Sequence, residues 1–286
     1  MNLSLEKSKE LINALKEKNR IYRNILDFYE EILEATKAEK PVLVIQAETK
    51  DAISNVQLRE GFPLMERKDF LIDIPSAARV FESICRIGKK TTERMRANIQ
   101  AVEEAIAINA LNLKELLRKH YDEGYLNDIA REFDVEEPVL RFLIYASIRP
   151  SLEANAEKLS QGVDLKNWLR GYCPVCGSPP LMSQLKGDGQ RFYLCSFCGF
   201  EWQSERLRCP FCETGDHEKL HYFSEEGRNA CRVDLCDNCR QYIKTVDSRK
   251  LDYEPDLILE DVVTIHLDIL ASEKGYKRPA PSMWGL

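Results

Sequence analysis

The sequence predicts an α+β protein: an N-terminal all-helical domain, two tandem rubredoxin-like or zinc-ribbon modules, and a C-terminal helix. Three observations predict it. Apolar residues recur at three- and four-residue steps through most of residues 2–170. Four Cys-x-x-Cys pairs crowd the stretch from Cys173 to Cys239. A helical period then returns over residues 256–274. These signals divide the chain into a helical domain at 1–165, a first four-cysteine ribbon at 166–205, a second at 206–253, and a C-terminal helix and tail at 254–286.

In the helical half, Leu11, Leu15, Tyr22, Ile25, Leu26, Tyr29, Ile32 and Leu33 trace one long amphipathic helix up to about Ala38, and Pro41 ends it. Residues 41–49 read as a short strand or as the start of another helix. Gly61-Phe62-Pro63-Leu64 and Phe70-Leu71-Ile72-Asp73 are apolar without a helical period, which predicts an ordered loop that packs. Ser76 is placed to cap a helix running to about Ile87. A longer helix is expected from Thr92 to about Tyr121, and a turn at Asp122-Glu123-Gly124 leads to a short one at 126–133. Asp134 and Pro138 start the next, with Val139, Phe142, Leu143 and Ala146 on one face. Pro150 breaks or kinks it before the pattern resumes to Leu159.

Residues 171–250 lose the helical period. Gly, Pro and Ser cluster around the cysteines, and the runs Arg191–Leu194, Leu220–Phe223 and Gln241–Val246 read as strands. Knuckle, hairpin, knuckle is the order of a ribbon. Such a small module has little apolar core, so metal binding must supply much of its folding free energy. In the last helix Leu257, Val262, Ile265 and Ile269 share a face, and Glu260, Asp261 and Asp268 read as its solvated side. Residues 277–282 read as a flexible tail.

An ion held only by sulfur needs four thiolates at tetrahedral corners, and two Cys-x-x-Cys pairs supply four. Eighteen residues separate Cys176 from Cys195, ten separate Cys198 from Cys209, and twenty-three separate Cys212 from Cys236. The two wider gaps fit hairpins and the ten-residue gap a linker. Site one is therefore Cys173, Cys176, Cys195 and Cys198, and site two is Cys209, Cys212, Cys236 and Cys239. Spacing alone also leaves open an interleaved pairing of the first knuckle with the third. Two metal ions are expected, and either iron or zinc suits four thiolates. Gly177 and Gly199 follow the second cysteine of their pairs and suit a positive φ. Glu213 and Arg240 stand there in site two, which predicts a different knuckle or a weaker hold on the ion.

Other candidates carry less. Cys85 and Cys231 are left over and read as small buried apolar residues. His217 and His221 lie within the second ribbon, where four cysteines already suffice. Trp168, Tyr172, Tyr193, Phe197, Phe200, Trp202 and Phe211 read as packing around the knuckles. No catalytic triad and no Gly-rich phosphate loop is recognisable, so no catalytic residue is assigned and the chain is not read as an enzyme.

Composition narrows the function further. The net charge is -6, and residues 171–253 hold 11 Lys and Arg against 12 Asp and Glu. A nucleic-acid binder carries a basic domain or stripe, so nucleic acid is not the expected partner. No run approaches the ~20 apolar residues of a membrane span, so no membrane insertion is expected. The N-terminus has no apolar run after a basic start, which predicts no signal peptide and a reducing cytoplasm for the cysteines.

The chain resembles a known family, the formate dehydrogenase accessory proteins FdhE. The likeness is carried by Gly171-Tyr172-Cys173-Pro174-Val175-Cys176-Gly177-Ser178, by Tyr193-Leu194-Cys195-Ser196-Phe197-Cys198 with Glu201-Trp202, and by Arg208-Cys209-Pro210-Phe211-Cys212 with Leu220-His221-Tyr222. It continues through Arg232-Val233-Asp234-Leu235-Cys236-Asp237-Asn238-Cys239, Tyr242-Ile243-Lys244, Leu267-Asp268 and Gly275-Tyr276. It is close over about 168–278 and looser in the helical half, where Phe62-Pro63-Leu64 is the best anchor. The resemblance implies a cytoplasmic assembly factor for respiratory formate dehydrogenases that contacts the catalytic subunit of the dehydrogenase before export. It also implies rubredoxin-like metal sites associated with iron, at the eight paired cysteines. A redox-active electron-transfer protein and a nucleic-acid-binding zinc ribbon are the alternative readings.

Overall fold

The computed structural model describes residues 4–18, 20–39, 58–225 and 230–280. The strand or helix expected at 41–49 lies outside them. Helix α1 spans Leu5–Lys18 and α2 spans Arg23–Ala38, joined through a 3-10 turn at Arg20–Tyr22. The single long helix expected here is thus broken, and Ile21 at the break is 90% exposed. The break lets two apolar stripes meet. Leu11, Ile12 and Leu15 of α1 share a buried cluster with Leu26, Tyr29 and Leu33 of α2, and Lys16 Nζ lies 2.6 Å from Asp27 Oδ1 across the turn.

Helix α3, Ile74–Gly88, is capped by Asp73 rather than Ser76: the Asp73 carboxylate accepts from the Ser76 amide, and Ser76 lies in the first turn. Thr92 does cap α4, but that helix covers only Glu93–Ala107. Asn109 turns the backbone left-handed with a φ of 58°, and Asn112 then caps a separate short helix α5, Leu113–Arg118. The expected Thr92–Tyr121 helix is therefore two, because asparagine adopts the left-handed region and offers a side-chain cap. Asp122 caps α6, Glu123–Glu132. Helix α7 runs unbroken from Glu137 to Ser160 with Pro150 inside it. Pro150 removes one hydrogen bond, but Ile144, Ile148, Leu152 and Ala156 are all buried on either side of it, and that packing holds the helix together.

Six strands follow: β1 Pro180–Lys186, β2 Gln190–Cys195, β3 Glu201–Ser204, β4 Leu220–Ser224, β5 Cys231–Cys236 and β6 Gln241–Asp247. Their order across one sheet is β3-β2-β1-β6-β5-β4. Each ribbon contributes three antiparallel strands. The seam between ribbons pairs β1 with β6 in parallel, with Ser183 opposite Thr245 and Leu185 opposite Asp247. The two ribbons thus form a continuous sheet.

Helices α8, Leu257–Val263, and α9, Ile265–Glu273, replace the single expected C-terminal helix, with the break at Thr264. The expected apolar face is not kept: Leu257 and Val262 are buried, while Ile269 is 57% exposed. Nor is the acidic face solvated, since Glu260, Asp261 and Asp268 are all buried. The expected tail is docked as far as Ala280: Tyr242 N donates to Lys277 O at 3.1 Å, Lys277 N donates to Arg240 O at 2.9 Å, and the Arg278 side chain is 7% exposed. Residues 281 and 282 lie outside the described residues.

The main core joins both halves of the chain. Val80, Ile84, Leu143 and Ile148 of the helices belong to the same cluster as Val175, Tyr193, Phe197 and Trp202 of the first ribbon. A second cluster seats α1, α2 and α8 on Leu181, Met182 and Val246 at the seam, and a third packs α9 on β5 and β6. Among the described residues no helix is long and apolar enough to cross a membrane.

Candidate metal centres

Each cysteine pair sits on a tight turn. In the first, Cys173 N donates to Ser178 O and Gly177 N to Cys173 O, both at 2.9 Å, with Gly177 at a φ of 73°. Gly199 repeats that conformation at 68°, and Glu213 and Arg240 repeat it at 56° and 57°. The second site therefore uses the same knuckle without glycine, contrary to the expectation of a different turn. A left-handed non-glycine residue costs about 1–2 kcal/mol. The return bonds Glu213 N to Cys209 O and Arg240 N to Cys236 O, at 3.0 and 2.8 Å, help hold it.

The structure gathers the cysteines as first knuckle with second and third with fourth. Cys173, Cys176, Cys195 and Cys198 form one group, and Cys209, Cys212, Cys236 and Cys239 the other, all sulfurs in a group lying within 4.8 Å of one another. In the first, Cys173 and Cys198 are 3.7 Å apart and Cys176 and Cys195 3.4 Å. In the second, Cys209 and Cys239 are 3.7 Å apart and Cys212 and Cys236 3.6 Å. An ion with sulfur ligands at ~2.3 Å needs tetrahedral edges of ~3.8 Å. Both sets have the geometry and donor chemistry to hold one ion of zinc or iron.

Amides already point at the sulfurs. Phe197 N and Cys198 N both donate to Cys195 Sγ at 3.4 Å, and Phe211 N donates to Cys209 Sγ at 3.5 Å. Such donors stabilise thiolate charge. Asn238 Nδ2 adds a side-chain donor to Cys212 Sγ at 3.4 Å.

The sites differ in setting. All four cysteines of site one are buried, whereas Cys212 and Cys239 of site two are half exposed. Site one is also tied to the helical half. Phe197, from its second knuckle, packs edge-on against Phe70 and Tyr145 and stacks on His120. The loop at 58–73 wraps the first knuckle, with Leu64 N and Met65 N donating to Pro174 O and Val175 O at 2.9 Å. That is the ordered, packing loop expected from its apolar sequence.

The remaining candidates lie elsewhere. His221 Nε2 is 3.0 Å from Asp237 Oδ2 and joins neither cysteine group. Cys85 is buried in the helical core, where burial pushes its thiol up to about 12. Cys231 is only half buried, and its Sγ faces Glu260 Oε2 at 3.7 Å. Sequence reasoning missed a buried ionic cluster behind site two. Lys244 Nζ meets Asp261 and Asp268, Arg278 meets the same two carboxylates, and Tyr242 donates to Asp268 Oδ1 at 2.9 Å. A lysine at an inward strand position, with aspartates facing it from a helix, was the available signal.

Comparison with known proteins fits this architecture. Residues 172–206 match the family model described as FdhE, central domain, and residues 207–284 match FdhE, C-terminal domain. A protein named Protein FdhE homolog from Aquifex aeolicus is 28% identical over 289 residues, covering 96% of this chain and 95% of that one. One from Haemophilus influenzae is 29% identical over 69% of this chain and 62% of its own length. Protein FdhE of Escherichia coli O9:H4 is 34% identical over 38% of this chain and 36% of its own. The crystal structure of the FdhE protein from Pseudomonas aeruginosa superposes with a TM-score of 0.74 at 22% identity, covering 99% of this chain and 97% of that one. That last likeness speaks to the fold.

Proposed function

We propose a maturation role for this chain, which belongs to the FdhE family: it is an accessory factor of formate dehydrogenase that binds the catalytic subunit of the dehydrogenase in the cytoplasm and turns over no substrate itself. The observation that carries this reading is the use made of the eight cysteines. They form two sets of four within one six-stranded sheet, and the first set lies in the core shared with the helical body. Four sulfurs fill the corners of a tetrahedral ion and leave no position for a substrate or an activated water. Cys173, Cys176, Cys195 and Cys198 would hold one ion, and Cys209, Cys212, Cys236 and Cys239 the other. Bound there, an ion supplies rigidity. The surface that the ribbons offer is then fixed before a partner arrives, so little ordering entropy opposes association.

A second reading rests on the half-exposed sulfurs of Cys212 and Cys239. Iron in site two would lie close enough to solvent to exchange an electron with a partner. The absorption spectrum of anaerobically purified protein separates the two readings, because zinc sites are colourless and ferric thiolate sites are not. The test of the maturation role itself is genetic. A strain lacking this protein should make formate dehydrogenase polypeptide but little active enzyme, and full activity in that strain would refute the role.

A further inference from the structure

We infer that the partner docks on a basic and apolar cleft at the junction of the helical half and the two ribbons, and that it presents there an extended segment carrying acidic side chains beside an apolar one. This rests on the maturation reading above and names the surface and the chemistry of the contact.

The cleft has a volume of about 380 Å³, and Arg59, Leu169, Arg170 and Arg208 line it. Arg208 also lines a second groove, which continues past Arg206 and Leu207 to Tyr222 on edge strand β4. Among the described residues the one carboxylate in the lining of the first cleft is Asp164, which accepts from the Lys166 amide. In a chain of net charge -6, this is a local excess of positive charge.

The arginines are weakly neutralised. Elsewhere in the fold, Arg191, Arg149 and Arg278 hold carboxylates at 2.6–2.7 Å. At the cleft, Arg170 comes no closer than 3.8 Å to Glu213, and Arg208 stands 3.4 Å from Glu205. Among the described residues Arg59 and Arg206 make no ion pair. Large apolar side chains are interleaved with them. Phe62 is 63% exposed, Leu169 41% and Leu207 74%. Arginine and aromatic residues ringing an apolar centre have the composition of a binding hot spot.

The walls are fixed. Trp168 Nε1 donates to Tyr172 O at 2.8 Å, Trp202 Nε1 to Arg170 O at 3.1 Å, and Tyr172 OH to Gly61 O at 2.6 Å. Arg208 Nε donates to Glu213 O at 2.7 Å, at the turn of the third knuckle. A preformed site loses little freedom on binding. Guanidinium groups favour carboxylates, which they grip with two parallel bonds, so charge complementarity selects an acidic segment.

The test uses the full, metal-loaded chain and the purified catalytic subunit of the cognate formate dehydrogenase, with binding followed by calorimetry. Arg59→Glu with Arg170→Glu, and separately Leu207→Asp, change side chains whose one ion pair among the described residues is the long Arg170–Glu213 contact of 3.8 Å, so helical content and metal content are expected to stay near wild-type levels. Each variant should weaken binding roughly tenfold or more, the size of a hot-spot loss. The wild-type affinity should also fall with added salt more steeply than that of the double arginine variant. If the wild-type chain fails to bind the subunit, the maturation reading falls and this inference with it. If the wild type binds and both variants bind equally well, the docking surface alone is overturned. Arginine-dependent binding of single-stranded DNA, with subunit binding unaffected by the variants, would likewise overturn the acidic-segment assignment.

Discussion

Lys244 Nζ lies 2.6 Å from Asp268 Oδ2 beneath the second ribbon, with the lysine side chain 1% and the aspartate 9% exposed. Asp261, 2.8 Å from the same ammonium, and Arg278 complete a cluster of two cations and two anions. Strand β6, helices α8 and α9 and the docked chain end are thereby fastened together. Charges buried this deeply are tolerated only when paired.

Lys244→Met should therefore destabilise the protein by about 3–5 kcal/mol, because two buried carboxylates would share one remaining guanidinium. Urea unfolding of the metal-loaded protein, monitored by circular dichroism, measures the change. A cost below about 1 kcal/mol, the range of exposed pairs, would mean the cluster is open to water.

Glu260 gives a pH dependence of definite sign. Burial raises its carboxyl above the ordinary 4.5, against the opposing hydrogen bonds from Tyr253 and Cys231. Tyr253 OH donates at 2.8 Å, the Cys231 thiol stands at 3.7 Å, and Asp256 and Lys18 are the neighbouring charges. The folded state thus holds the proton more tightly than the unfolded chain, so stability falls as pH rises from about the unfolded value through the folded one. Glu260→Gln mimics the protonated form and loses that penalty. Its stability relative to wild type should improve with rising pH, by about 1.4 kcal/mol per unit of raised pKa at most. Paired urea titrations at about pH 4.5, near the unfolded value, and at about pH 8 test it, and a difference between the two proteins that does not change with pH would remove the assignment.

Why Asp261 and Asp268 were illegible in the sequence follows from the Lys244 cluster. Helical periodicity ranks residues by their own polarity, and an aspartate on a helix reads as solvated. The lysine partner lies 17 residues from Asp261 and 24 from Asp268, on a strand. The β1–β6 seam is illegible for a related reason, since parallel pairing between two hairpins leaves no turn signal. The cysteine groups were legible because two-residue spacing fixes each knuckle locally and hairpin lengths decide which knuckles meet. The breaks at Ile21, Asn109 and Thr264 fall between: each interrupts a continuing apolar pattern where packing rewards a change of direction. Asp73 won the cap from Ser76 because its carboxylate reaches the Ser76 amide at 3.3 Å.

Glu213→Gly should stabilise site two. Glycine adopts the left-handed turn without penalty, and the side chain's contact with Arg170 is long, at 3.8 Å. The expected gain is about 1 kcal/mol, reduced by the looser unfolded chain. Arg240→Gly should gain nothing, because Arg240 stacks 4.1 Å over the Tyr276 ring and donates to Lys274 O at 3.0 Å. Chelator-induced metal release, followed for each variant, distinguishes the two. Equal effects would show that knuckle strain does not govern how the second ion is held.

The last prediction separates the two sites by their packing, where spacing alone treats them alike. Cys173, Cys176, Cys195 and Cys198 belong to the same core as the helices, and Phe197 between two of them reaches Phe70, His120 and Tyr145. Opening this site with Cys173→Ala removes a ligand and loosens the support of the helical body. The second ribbon joins that core through Ile243 and the partly buried Phe211, but none of its four cysteines belongs to it, and Cys212 and Cys239 are half exposed. Cys209→Ala should then lose about one ion and leave the helical circular dichroism near wild type, while Cys173→Ala should lose about one ion and part of the helical signal as well. A chelator should empty the wild-type chain in two phases, and the fast phase alone should vanish in Cys209→Ala. Loss of helix in both variants would mean that the parallel seam between β1 and β6 couples the ribbons into one unit. Loss in neither would mean that the helical body holds its shape without the first knuckle pair.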